Sequence, residues 1–160
     1  MSHPSPDDRT QSQGFQTLRG ALADHEPDEG PYFAYSASLR IFGNQLDLDE
    51  ITQQIQLTPT HHHRKGERRT PHATAYIHDH WAYQPHVPED QPLAIHIDAL
   101  WAHIKHATTY LRALKQIATV DVFLGYRSNI DHAGVEVPAT SLTMFVELAI
   151  PFGISIIITD

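Results

Sequence analysis

The sequence predicts an α+β domain: a two-layer sandwich related to the ferredoxin-like arrangement, with a mostly antiparallel sheet and helices on one face. Three observations predict it. Apolar residues alternate with polar ones at 33–41, 75–83 and 120–126, the period of half-buried strands. Apolar residues recur at three- and four-residue steps at 48–55 and 93–114, the period of helices that sit between those strands. Cysteine is absent from the 160 residues, so the fold rests on a core rather than on disulfides.

The elements follow in order. Residues 1–30 are rich in Ser, Pro, Asp, Gln and Gly and are expected to be a disordered acidic tail, with one domain spanning 31–160. Phe33, Tyr35, Ala37, Leu39 and Ile41 form the inward face of a first strand, which Gly43-Asn44 ends. Asp47 then begins a helix with Glu50 three residues on, and Leu48, Ile51 and Ile55 supply its buried stripe. The polar run HHHRKGERRTPH, residues 61–72, reads as a loop or an edge strand. A second strand is expected from Ala73 to Tyr83, with Ala75, Ile77, Asp79, Trp81 and Tyr83 facing inward. Asp79 would need a partner there, from Arg40 or the basic loop.

After a loop containing Pro85, Pro88 and Pro92, one long helix is expected over about 93–116. Val120, Val122, Leu124 and Tyr126 mark a third strong strand. A short helix from about Ser141, with Leu142, Phe145, Val146 and Ala149 inward and Gly153 as its cap, leads to a last strand over 154–159.

Charge narrows the partners. Nineteen acids against eleven bases give a formal charge of −8, which makes nucleic acid an unfavourable general partner. Arg64, Lys65, Arg68 and Arg69 nevertheless form a local basic cluster, suited to an acidic protein surface or an anionic ligand. No stretch approaches the ~18 apolar residues of a membrane span, and the N-terminus lacks a secretory pattern. A cytoplasmic location without membrane contact is the expectation.

Seven of the thirteen histidines lie between His61 and His86. On a strand, His78 and His80 would point the same way, and His96, His103 and His106 flank the stripe of the long helix. However, no HExxH, G-x-S-x-G elbow or phosphate-binding Gly-rich loop is present. The residues therefore predict a non-enzymatic protein with no cofactor and no bound metal.

Some runs resemble a known family. YSASLRIFGNQLDLDEITQQIQLTPT followed by RKGERR, then Trp81, and later VDVFLGYRSN and LAIPFGISIIIT, are similar to the bacterial family called domain of unknown function 4279. The likeness covers roughly residues 32–159. His61-His62-His63 and His78-Asp79-His80 depart from the family's pattern. The resemblance implies the fold and carries no activity. Small acidic families of this type include immunity proteins, so the leading expectation is a binding protein that occludes a neighbour-encoded, cytosol-acting toxin. Arg64, Lys65, Arg68, Arg69, His78, His80, Asp131 and Glu136 are its candidate contacts. The alternative is a small-ligand or metal-binding regulatory domain that uses the histidines and the basic loop.

Overall fold

The computed structural model describes residues 32–130 and 134–159, so the expected tail over 1–30 and Asp131 lie outside the described residues. The α+β class is as expected. Five strands form an open sheet in the order β2-β3-β1-β4-β5. They are β1 (Phe33–Gly43), β2 (His61–His63), β3 (Asp79–Tyr83), β4 (Thr119–Ser128) and β5 (Ile154–Ile158). All pairings are antiparallel except β4 with β5, which is parallel and joined by a crossover. The antiparallel run β2-β3-β1-β4 is extended at one edge by the parallel strand β5.

Alternation in the central strands dictates where the core sits. Ala37, Leu39 and Ile41 of β1 and Val120, Val122 and Leu124 of β4 point to one face. There they pack with the apolar stripes of α1 (Leu48–Ile55), α2 (Leu93–Ile104), α3 (Thr108–Leu114) and α4 (Thr143–Leu148). The expected cap of α1 is present: the Asp47 carboxylate accepts from the N–H groups of Asp49 and Glu50. Trp81 is 0 % exposed and its ring N–H donates to Thr52 Oγ1 at 3.0 Å, which makes it a core residue as expected. Phe33 and Tyr35 share the inward face but remain half-exposed, stacked with Tyr126.

Several expectations need correction. The second strand is β3, which starts at Asp79 rather than at Ala73. β1 ends at Gly43, opposite Asp79, so residues 73–78 have no central strand to pair with. Tyr76 instead exchanges backbone hydrogen bonds with the 66–67 turn, and Ile77 is exposed. The long helix is split by a 3-10 turn over Lys105–Ala107, where the Thr108 hydroxyl donates to the Lys105 carbonyl and competes with helical bonding.

In α4 the buried residues are Met144, Phe145 and Leu148, while Val146 is exposed. Ala149, at φ 50°, ends that helix in place of Gly153. Of the two sources expected for a partner of Asp79, the basic loop supplies one through the Lys65 N–H, and Arg40 does not. Its neighbours Leu39 and Ile41 face the core, so Arg40 faces away, where it forks onto Asp121 with two bonds of 2.8 Å.

Asp79 is buried, and its partners are backbone groups. Leu46 N–H donates to Oδ2 at 2.9 Å and Lys65 N–H to Oδ1 at 2.8 Å. The Lys65 N–H foremost, then that of Leu46, holds the carboxyl below its ordinary 3.8 despite burial. Asp79→Ala would leave the buried Leu46 N–H and the part-buried Lys65 N–H without their acceptor and should cost about 1–3 kcal/mol. Because the folded pKa lies below the unfolded one, the stabilisation is complete above the unfolded value and fades as pH falls through the folded value. Urea unfolding between pH 7 and pH 2 should show this acid-side loss in the native sequence and a smaller one in the variant. Equal stability of the two at pH 7 would remove Asp79 from this role.

Candidate metal centre

The face of the sheet opposite the helices is built by the same alternation. It receives Ser38, Arg40 and Phe42 from β1, His80 and Ala82 from β3, and Asp121 and Phe123 from β4. The Arg40 guanidinium lies 5.3 Å from the Phe42 ring centre and 4.8 Å from that of Phe123. Phe42 stacks on His80, with centres 4.5 Å apart and planes within 5°.

β2 completes this face from the edge. It pairs with β3 so that His63 lies opposite His80, His62 opposite Trp81 and His61 opposite Ala82. A two-residue period then puts His61, His63 and His80 on one side and His62 on the other. One ring nitrogen from each of the three lies within 4.8 Å of the other two. His61 Nε2 and His63 Nδ1 are 3.2 Å apart, and the buried Nε2 of His80 has no hydrogen-bond partner.

The loop that follows braces this corner. Gly66, at φ 89°, makes a turn whose N–H donates to the Tyr76 carbonyl, while Tyr76 N–H donates to the Glu67 carbonyl. The left-handed φ suits a residue without Cβ. Tyr76 is thereby laid over His63, with ring centres 3.5 Å apart and planes within 12°. Phe42 and Tyr76 thus orient two of the three imidazoles.

The environment disfavours the charged forms of His63 and His80. Burial, then the proximity of His63, His61 and Arg40, lowers His80 to about 4. Burial, then His61, lowers His63 as well, against the opposing pull of Glu67 and Asp79. A neutral imidazole presents a lone pair, the form that binds zinc, copper or nickel. For metal–nitrogen bonds of about 2.0–2.1 Å in tetrahedral geometry, ligand nitrogens sit roughly 3.3 Å apart. The 3.2 Å pair already matches that spacing, and closing the rest of the triangle takes side-chain adjustments of at most about 1.5 Å.

The residues singled out from the sequence are distributed differently. His78 precedes β3 in a bend and is exposed, so it does not share a strand face with His80. His61 and His63 take that place. The signal for them was the His-x-His spacing on a short edge strand, which becomes informative once β2 is registered against β3.

Arg64, Lys65, Arg68 and Arg69 are exposed along the loop after His63. Arg64 lies 3.9 Å from Asp49, Lys65 donates to Asn44 Oδ1, and Arg68 donates to the Ala73 carbonyl. Glu136 is exposed outside the sheet, in the segment before the 3-10 turn Ala139–Leu142. The helix-borne histidines do not converge: His96 is buried, His103 meets the Tyr83 hydroxyl, and His106 meets the Ile55 carbonyl. Among the described residues, His61, His63 and His80 form the one group of three potential ligands.

A family model described as domain of unknown function (DUF4279) matches residues 33–159. No curated protein and no solved structure matches the chain.

The depressed His80 value has a direct readout. In the metal-free protein, the His80 ring signals should stay in their neutral positions through pH 5 and titrate near about 4. Between that value and the unfolded 6.5 the unfolded chain binds the extra proton, so the His80 contribution makes stability rise with pH in this window. Two-dimensional NMR of ring carbons would follow it, and a His80 midpoint near 6.5 would contradict the placement.

Proposed function

We propose that this chain, which belongs to the family described as domain of unknown function 4279, is a transition-metal-binding domain whose ligands are His61, His63 and His80. The observation that carries this reading is the convergence of three ring nitrogens within 4.8 Å, drawn from two paired strands. The sequence expectation of no bound metal rested on spacing within single elements, where none of the usual motifs occurs. Cross-strand pairing supplies a ligand set that such spacing does not reveal. Imidazole-only donors favour zinc, copper, nickel or cobalt over calcium or magnesium, which take oxygen ligands.

Protein made without a polyhistidine tag should bind about one zinc per chain in elemental analysis after equilibration and desalting. His61→Ala and His80→Ala should each weaken binding by about a hundredfold or more, at least the loss caused by removing a metal's outer-shell partners. His62→Ala is the control, because His62 faces the other side of the sheet and should bind as the native chain does. Equal loss in all three variants would reduce the site to a non-specific histidine run, and zinc binding untouched by His80→Ala would reject the centre.

A second reading, occlusion of a neighbour-encoded toxin, is favoured by a different feature. Among the described residues β5 pairs with β4 on one side only, and Ile156, Ile157 and Ile158 along it are exposed. An apolar free edge is a ready template for another chain's strand. The formal charge of −8 favours a basic partner, such as a nuclease, by steering the encounter. Co-expression with the adjacent gene should give a one-to-one complex that a lysine at Ile157 weakens. A complex indifferent to that substitution, or no complex, would count against it.

A further inference from the structure

Resting on the metal-binding reading above, we propose that the bound ion keeps one outward coordination position and that this position takes a small anion. The inference begins from ligand supply. Structural zinc sites are closed by four protein ligands, whereas three leave a position for an exogenous group. Among the described residues no fourth histidine or carboxylate joins His61, His63 and His80.

The two carboxylates whose charge acts on His63 are Glu67 and Asp79. Glu67 Oε2 already accepts from the Arg64 N–H at 2.9 Å, and both oxygens of Asp79 accept from backbone N–H groups. Recruiting Asp79 would break bonds that hold the turn beneath the site, and Glu67 is already engaged there through Oε2. The fourth position therefore falls to solvent or to a solute.

Access and charge favour an anion there. His80 is half-buried behind the Phe42 ring, and His63 is covered by Tyr76, but His61 is exposed at the sheet edge. The opening is thus on the His61 side. Three neutral imidazoles leave the full 2+ charge of the ion uncompensated. Arg40 acts on His80 from the same face, and the four bases of the adjoining loop begin at Arg64, one residue after His63. Arg40 and Asp121 pair with each other on that face, and Glu67 and Asp79 are the acids near His63, so the positive excess comes from the ion and the loop's four bases. A small carboxylate or another monodentate oxyanion fits a position of this charge and exposure.

Cobalt(II) reports directly on coordination. The full-length chain would be loaded with one equivalent of cobalt, its visible ligand-field spectrum recorded, and azide or acetate titrated in. The expected result is a saturable change in band position and intensity, retained in His62→Ala and in Glu67→Gln. Tetrahedral cobalt bands that ignore both anions would mean that a protein group closes the shell, and would overturn this inference while leaving metal binding intact. If that insensitivity were lifted by Glu67→Gln, Glu67 would be the closing ligand. Cobalt that gives only the spectrum of the free aqua ion would overturn the metal-binding reading and this inference with it.

Discussion

One buried carboxylate holds the working end of this sheet together. Asp79 begins β3 and accepts backbone N–H groups from two chain segments distant in sequence, the exit of β1 at Leu46 and the turn after β2 at Lys65. A charge placed out of water is sustained only when its lone pairs are met, and here two backbone donors meet them. The bonds also fix where β2 lies. With Lys65 tied to Asp79, the three residues of β2 run back alongside β3, and His63 comes to rest opposite His80. Asp79 points to the helix-covered side, and its successor His80 points to the open side. A structural group and a candidate ligand are therefore adjacent in sequence and opposite in role.

The two faces of the sheet divide the labour in the same way. One carries Leu39, Ile41, Trp81, Val122 and Leu124 into a core closed by the helices. The other carries a layer of aromatic, imidazole and guanidinium groups, in which Arg40 lies over Phe42 and Phe42 over His80. The edges differ as well. β2 is short and polar, a usual defence against unwanted strand pairing, whereas β5 presents three exposed isoleucines. The edge that natural design protects is the one beside the histidines.

Much of the fold was legible because it is local. The alternation of β1 and β4, the stripe of α1, the Asp47 cap and the burial of Trp81 and Asp79 all follow from period and residue type. Other features depend on pairing. β3 starts six residues later than its pattern suggests, because β1 offers no partner past Gly43. The face of α4 is offset, with Met144 and Leu148 inward instead of Val146, since packing against neighbouring elements decides among apolar residues at similar spacing. The histidine site was half legible. His80 and the His61–His63 run were both visible as unusual, but their convergence is a property of register. The expected companion, His78, is lost to a bend that the linear pattern does not encode.

The central claim is that register, fixed by Asp79, turns three scattered histidines into one metal centre. X-ray absorption at the zinc edge, on protein loaded with one equivalent and desalted, examines that coordination most directly. The account predicts three imidazole nitrogens at about 2.0 Å with their outer-ring scattering, plus one oxygen from solvent or an anion. A shell with one or two imidazoles among several oxygens would contradict it, because the ion would then be held by exposed histidines rather than by the assembled corner of the sheet.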